Sequence, residues 1–384
     1  MFGSLHLGVD RLFDGKTMHH NVVVHIDNGL VTAINTNQVN DGSQPWLTGV
    51  LAPGFVDIQV NGGGDVLVND QPTTYGIAAV VSAHQQYGTT ALLPTVITDS
   101  FTTMLAAADA VAELITAPDS GVIGIHFEGP HISEAKKGAH NQDYIRAISS
   151  EEWALFGRDD LGVKLLTIAP EQLSLADIAQ LKSLGVILYL GHSNASYQQA
   201  SAAFKAGASG STHLFNAMSA LQGREPGLVG ATLLDEHAFA GIIVDGHHVD
   251  YATVKLAFNN LGAHRLALVT DAMPTVGGSI SGFNLVGNWV EQQGSKLIGS
   301  NGELAGSVLT MAQAVRNCVV NIGLSVEDAL TMATSTPAAA VGLAGGVGQL
   351  VEGGRADMVY LDNNVELQQV WRSGIAVMDN DSPH

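Results

Sequence analysis

Cysteine is almost absent from this chain. Of 384 residues, one is a cysteine, Cys318, which excludes an intrachain disulfide. It falls in a stretch where Val308, Met311, Val315, Val319 and Ile322 recur at helical spacing. It is therefore read as a core or helix-face residue, not a nucleophile. Positive charge is also scarce: 16 Lys and Arg stand against 36 Asp and Glu, for a net charge of −20. No Lys/Arg cluster interrupts that balance, so the electrostatic footprint of a nucleic-acid partner is missing. Charged residues of both signs make up only 14% of the chain and hydrophobic ones 46%, a balance that excludes a disordered protein. No apolar run reaches the ~18 residues of a membrane span, and Met1–Lys16 lacks the apolar core of a signal peptide. The expectation is a cytoplasmic protein with no membrane partner.

What is present is a rhythm. Eight apolar runs stop abruptly at polar or ionisable residues: Gln59/Asn61, Thr95, Glu128, Glu171, His192, His213, Asp245/His248 and Asp271. The runs are read as strands 54–59, 90–93, 122–127, 164–168, 186–190, 210–213, 240–244 and 266–270, with Pro94 and Pro170 closing the second and fourth. Helical patterns lie between, at 73–87, 101–115, 175–184, 197–206 and 251–260. Continuous Val/Ile/Leu runs suit parallel strands buried on both faces. The fold class expected is α/β, a (β/α)8 TIM-type barrel. In such barrels the chemistry gathers at the strand C-termini. A doubly wound open sheet is the rival, but no glycine-rich nucleotide fingerprint supports it.

The first fifty residues read as short strands (5–9, 21–26 and 30–35) with a hairpin signal at Asn28-Gly29. The tail has the same character, at 356–361 and 370–378. These two ends are expected to meet in a small β-sandwich domain, giving residues 1–52 and 345–384 to it and 53–344 to the barrel.

Three strand ends carry metal-ligand chemistry: Glu128 in His-Phe-Glu-Gly-Pro-His, His192 in Gly-His-Ser-Asn-Ala, and His213 in Thr-His-Leu-Phe-Asn-Ala-Met. One carboxylate and two imidazoles make a three-ligand site that leaves a position open for water. Asp271, in Leu-Val-Thr-Asp-Ala-Met, ends an apolar strand, and an unpaired buried carboxylate is costly. It is read as a general base beside the metal site, with a helix N-cap or an ion pair as the alternative.

Taken together, these residues resemble the amidohydrolase superfamily and, within it, the N-acetylglucosamine-6-phosphate deacetylases. The resemblance rests on Ala52–Asp57, Gly124–Pro130, Lys137–His140, Gly191–Ser193, His213–Met218, Asp245–His248, Thr270–Met273, Thr336–Ala339 and the Gly348–Leu350 and Ala356–Val359 tail. Many amidohydrolases carry His-x-His at the first strand end, where this chain has Gln59-Val60-Asn61. Amides are poorer metal ligands than imidazole, so one divalent metal per subunit is expected: zinc first, with Fe, Mn, Co or Ni accepted by the same donors.

The resemblance further implies a sugar phosphate substrate, with Ala139, His140, Asn216, Ala217, Arg224, His248, Leu304, Ala305 and Gly306 as its contacts. It also implies His140 near the scissile amide and a homodimer. Arg224 suits phosphate through its forked donors; read alone, it would be an ion pair with Glu225. The loop 304–307 precedes a helical pattern, with Ser307 as its expected N-cap. The activity implied is removal of the N-acetyl group from N-acetyl-D-glucosamine 6-phosphate. The galacto epimer is the nearer alternative and a non-catalytic binding protein the remote one.

Overall fold

In a computed structural model, residues 4–117, 119–300 and 302–377 are described. Eight parallel strands follow one another around a barrel: Phe55–Val60, Thr89–Ile97, Gly124–Glu128, Val163–Ile168, Val186–Leu190, Gly210–Ser211, Phe239–Ile242 and Leu266–Leu268. The circle closes just beyond the strand ends, where Val60 bridges Ala272 and the Asp271 N–H donates to the Gln59 carbonyl at 3.0 Å. Strand one is buried along its whole length, as expected of strands covered on both faces. Each such Val, Ile or Leu contributes about 1.5–3 kcal/mol.

The expected strands and helices are there, with shifted ends. Helices Phe101–Ile115 and Tyr197–Ala206 fall where the pattern places them, and Thr74–Gln85, Leu175–Ser183 and Tyr251–Leu261 within a few residues. Two expectations need correction, and one segment went unread. Pro94 does not close the second strand, which runs through it to Ile97. Proline has no N–H to give the ladder, and beside it the Thr95 hydroxyl accepts the Val60 N–H at 2.9 Å. Ser307 is not a helix N-cap. The helix Met311–Val320 is capped by Thr310, whose side chain accepts from the Gln313 N–H. The Ser307 hydroxyl instead donates to the Thr270 carbonyl at 2.5 Å and ties its loop to the eighth strand end. Residues 282–299 carried no expectation, yet they form a three-stranded antiparallel flap, Gly282–Leu285, Asn288–Gln293 and Lys296–Gly299. Its two-residue loops, Val286-Gly287 and Gly294-Ser295, are the hairpin signal that was there to be read.

The terminal segments meet in a seven-stranded mixed sheet. At its centre Trp46–Pro53 runs parallel to Leu5–Phe13 and antiparallel to Met358–Asp362. Trp46–Pro53 leads, through Gly54, into the first barrel strand, and a separate apolar cluster (Leu7, Val9, Leu51, Met358) gives this sheet its own core. The expected strand 370–378 is divided into Leu367–Arg372 and Ile375–Ala376; Met378 lies outside the described residues. Cys318 is fully buried on Met311–Val320, as expected.

His84 makes the fold acid-sensitive. It is fully buried, donates from Nε2 to the Gly62 carbonyl at 2.9 Å, and burial pushes its pKa down to about 4. The unfolded chain takes up this proton near pH 6.5, the folded chain only near 4. Stability is therefore lost as pH falls through 6.5 toward 4, by up to about 3 kcal/mol for this residue. In His84→Gln the fall in Tm between pH 7 and pH 5 should shrink; an unchanged slope would assign the acid sensitivity elsewhere.

Candidate metal and catalytic site

Glu128 is the last residue of strand three, and His192 and His213 each lie two residues past a strand. Their tips meet. The Glu128 Oε1 is 3.0 Å from His192 Nε2 and 2.9 Å from His213 Nε2, and the two nitrogens are 3.0 Å apart. All three are buried. The His192 Nδ1 faces the Lys136 carbonyl at 2.9 Å; a carbonyl only accepts, so Nδ1 carries the proton and Nε2 presents a lone pair. In the neutral ring that lone pair is the one a metal ion would take. Burial by itself would raise the Glu128 carboxyl, but the hydrogen bonds and charges of His192 and His213 hold it well below the ordinary value. Glu128 in turn raises His213 against the effect of burial. This donor set could hold a metal ion. Glu128 and His192 also group with His140, all three ligand atoms lying within 4.8 Å of one another. The His140 Nδ1, however, is engaged by Thr98, at 2.7 Å from its hydroxyl and 3.4 Å from its N–H.

Asp271 stands three residues beyond strand eight. Its Oδ1 accepts from Asn61 Nδ2 at 2.6 Å and from Gln59 Nε2 at 3.2 Å. Gln59 also donates to the Glu128 Oε1 at 3.1 Å. Gln59 thus bridges the carboxylates of strands three and eight, and Asn61 adds a second donor to Asp271. Burial, then the nearby Glu128 charge, pushes Asp271 up to about 6. His140 is fully buried, and burial together with its His192 neighbour keeps it neutral, well below the usual imidazole value. Because the Thr98 N–H points at Nδ1, the proton belongs on Nε2. The backbone is strained at the same places: φ is +46° at His192, +31° at His213, +47° at Ala217 and +51° at Asp271. Non-glycine residues held there cost about 1–3 kcal/mol each and gather at functional sites.

Asn61, Glu128, His140, His192, His213 and Asp271 line one cavity of about 360 Å³, together with Ala139, Asn216, Ala217, His248, Leu304 and Gly306. Two expected contacts are not among its walls. Arg224 is exposed on the loop after strand six and is not paired with Glu225, whose carboxylate accepts from the Tyr197 and Gly227 N–H groups at 2.7 and 2.9 Å. Ala305 is buried in the apolar cluster beneath the flap. His248 is held by Asp245 at 2.6 Å. Burial would raise Asp245, but His248 brings it below its ordinary value. Glu171, at the fourth strand end, fixes the His192 loop by accepting from the Ser193 hydroxyl and the Asn194 N–H, both at 2.6 Å.

The walls also include residues that sequence reasoning missed: Lys136, and the apolar Ile97, Met273 and Leu285. Leu285 arrives on the flap, so only recognition of that hairpin could have found it. Gly306 takes φ +70°, and a Cβ there would collide with the Met273 side chain and come 3.1 Å from the Asp271 carbonyl. Gly306→Ala should cost about 1–3 kcal/mol of stability and lower kcat/KM; an unperturbed Tm and rate would refute the crowding.

A barrel whose strand ends assemble an acidic and imidazole cluster beside a buried carboxylate belongs to the hydrolases built on this scaffold. The amidohydrolase family matches residues 50–378, and the chain belongs to it. Within it, the chain is 44% identical over 371 residues to the N-acetylgalactosamine-6-phosphate deacetylase of Shewanella sp. (strain ANA-3), covering 96% of this chain and 94% of that one. It is 33% identical over 382 residues to the N-acetylglucosamine-6-phosphate deacetylase of Vibrio furnissii, with coverage of 96% and 94%. Among solved structures it is similar to N-acetylglucosamine-6-phosphate deacetylase from Pasteurella multocida, with a TM-score of 0.91, 33% identity and coverage of 97% and 99%.

Proposed function

We propose that this chain hydrolyses the N-acetyl group of N-acetyl-D-glucosamine 6-phosphate, releasing glucosamine 6-phosphate and acetate. The observation that carries the reading is Asp271, buried and hydrogen-bonded, beside the Glu128–His192–His213 cluster in a cavity that could take a small sugar. Glu128, His192 and His213 would hold one divalent ion, zinc first. Such an ion, when bound, polarises an amide carbonyl and makes water more acidic.

The rest is done by the chain. Asp271 takes a proton from the attacking water and delivers it to the departing amine, which leaves poorly without it. Asn61 and Gln59 occupy its Oδ1, which leaves Oδ2 for that proton. His140, neutral with Nε2–H as donor, holds the carbonyl oxygen as charge develops there. Asn216, the Ala217 amide and His248 position the sugar, and Ala139, Leu304 and Gly306 complete the surface over it, while Ala305 packs in the apolar cluster beneath the flap. Arg224, exposed in a single chain, is assigned to the phosphate across the interface of a homodimer acting in the cytoplasm.

The galacto epimer is the second reading, favoured by the 44% identity to the Shewanella enzyme. Acetate release from both sugar phosphates, compared as kcat/KM before and after chelation, tests the proposal. A higher value for the galacto compound would replace the first reading by the second, and no metal-dependent release from either would overturn both.

A further inference from the structure

A second cavity, about 530 Å³, lies at the other end of the barrel, where strand starts meet the terminal sheet. It holds no group used by the proposed catalysis. Two guanidinium groups line it, Arg355 and Arg372, with Asp119 and Asp357. The two carboxylates are already engaged by Arg355, at 2.7 Å to Asp119 and 3.1 Å to Asp357. Arg372 is the anomaly. It is only 8% exposed, its Nη2 reaches the Asp119 carbonyl at 3.2 Å, and its Nε is 3.4 Å from Asp357. That Nε keeps an ion pair with Asp357, whereas Nη1 makes no hydrogen bond among the described residues.

A buried charged donor left open is costly, and a guanidinium fork is suited to oxyanions. Gly121 keeps the approach clear, since a Cβ there would sit 3.0 Å from Nη1. The remaining wall is largely apolar, with Ile115, Ile123 and Val347, and the volume exceeds what a bare oxyanion fills.

We propose that this cavity is a second, non-catalytic site for a small organic phosphate, its oxyanion taken by Arg372 and its apolar body by the isoleucine and valine wall. Two families of isoleucine separate the sites: Ile115 and Ile123 line this cavity, and Ile97 lines the catalytic one. The test is a titration of the full-length, metal-loaded protein, carrying 13C-labelled isoleucine methyls, with phenyl phosphate and with inorganic phosphate.

The expected result is a saturable shift of Ile115 and Ile123, tighter for phenyl phosphate. Gly346 is on the same wall, has no positive φ, and would offer a Cβ open space, so substitution there spares the fold. Gly346→Asp should weaken binding about tenfold or more by charge repulsion, while Gly346→Asn leaves it near wild type. Arg372→Met should abolish it. Shifts confined to Ile97, or equal affinity in Gly346→Asp and Gly346→Asn, would overturn the proposal and leave the cluster as a tie between sheet and barrel.

Discussion

Asp271→Asn should lower kcat by about 10²–10⁴-fold while metal content and Tm stay near wild type. The amide preserves the size of the side chain and an oxygen to accept from Asn61 and Gln59, but it cannot take a proton from water. Its effect therefore falls on turnover and spares substrate binding. The pH profile supplies an independent check. Burial and the Glu128 charge place Asp271 at about 6, and a cation held by the neighbouring cluster moves it lower. Activity in the wild type should fall on the acid side as Asp271 gains its proton, and the residual activity of Asp271→Asn should lose that limb. Metal analysis, stopped-assay kcat and the profile from pH 4 to 9 decide the matter. Near-normal kcat would remove Asp271 from the proton-transfer role.

Glu128→Gln is expected to cost more than about 100-fold in metal affinity and nearly all activity. The substitution keeps the shape and removes the negative charge that two imidazole nitrogens approach at 2.9 and 3.0 Å. In wild type, a ligand that binds only the folded state at 1,000 times its Kd adds about 4 kcal/mol, so Tm should rise on loading with zinc. That rise should be absent in Glu128→Gln. Elemental analysis per chain and the Tm difference with and without zinc are readouts that do not depend on turnover. A variant that still binds one equivalent tightly would transfer the metal to other donors, His140 being the imidazole that groups with Glu128 and His192.

The two substitutions separate roles that the geometry couples. Gln59 donates to both carboxylates, so its position responds to both. Sequence reading treated Gln59 and Asn61 as the loss of histidine ligands. The folded chain shows what the amides contribute: three donated hydrogen bonds to two buried anions. Neither amide could have been matched to Asp271 from sequence, since the contacts span 212 and 210 residues.

The barrel was legible because parallel strands buried on both faces must be written as unbroken apolar runs, and a run that ends in Glu, His or Asp marks a place where the chain reaches the mouth. Strand order and the Glu128, His192, His213 and Asp271 positions follow from that local signal, whereas the meeting of the chain ends rests on the like short-strand composition of the two ends and on the family resemblance. Other features depend on distant partners or on short hairpins with weak alternation. The flap carrying Leu285, the Lys136 wall, the placement of Arg224 outside the cavity and the true cap at Thr310 were of this kind. Ser307 shows the difference most plainly: a serine before a helix is a good cap by local rule, but the Thr270 carbonyl at 2.5 Å offered its hydroxyl a better-placed acceptor. The sequence by itself determined which residues reach the barrel mouth, because burial periodicity is local. Only the tertiary structure decided which of them touch, because hydrogen-bond geometry between strands is set by closure of the whole barrel.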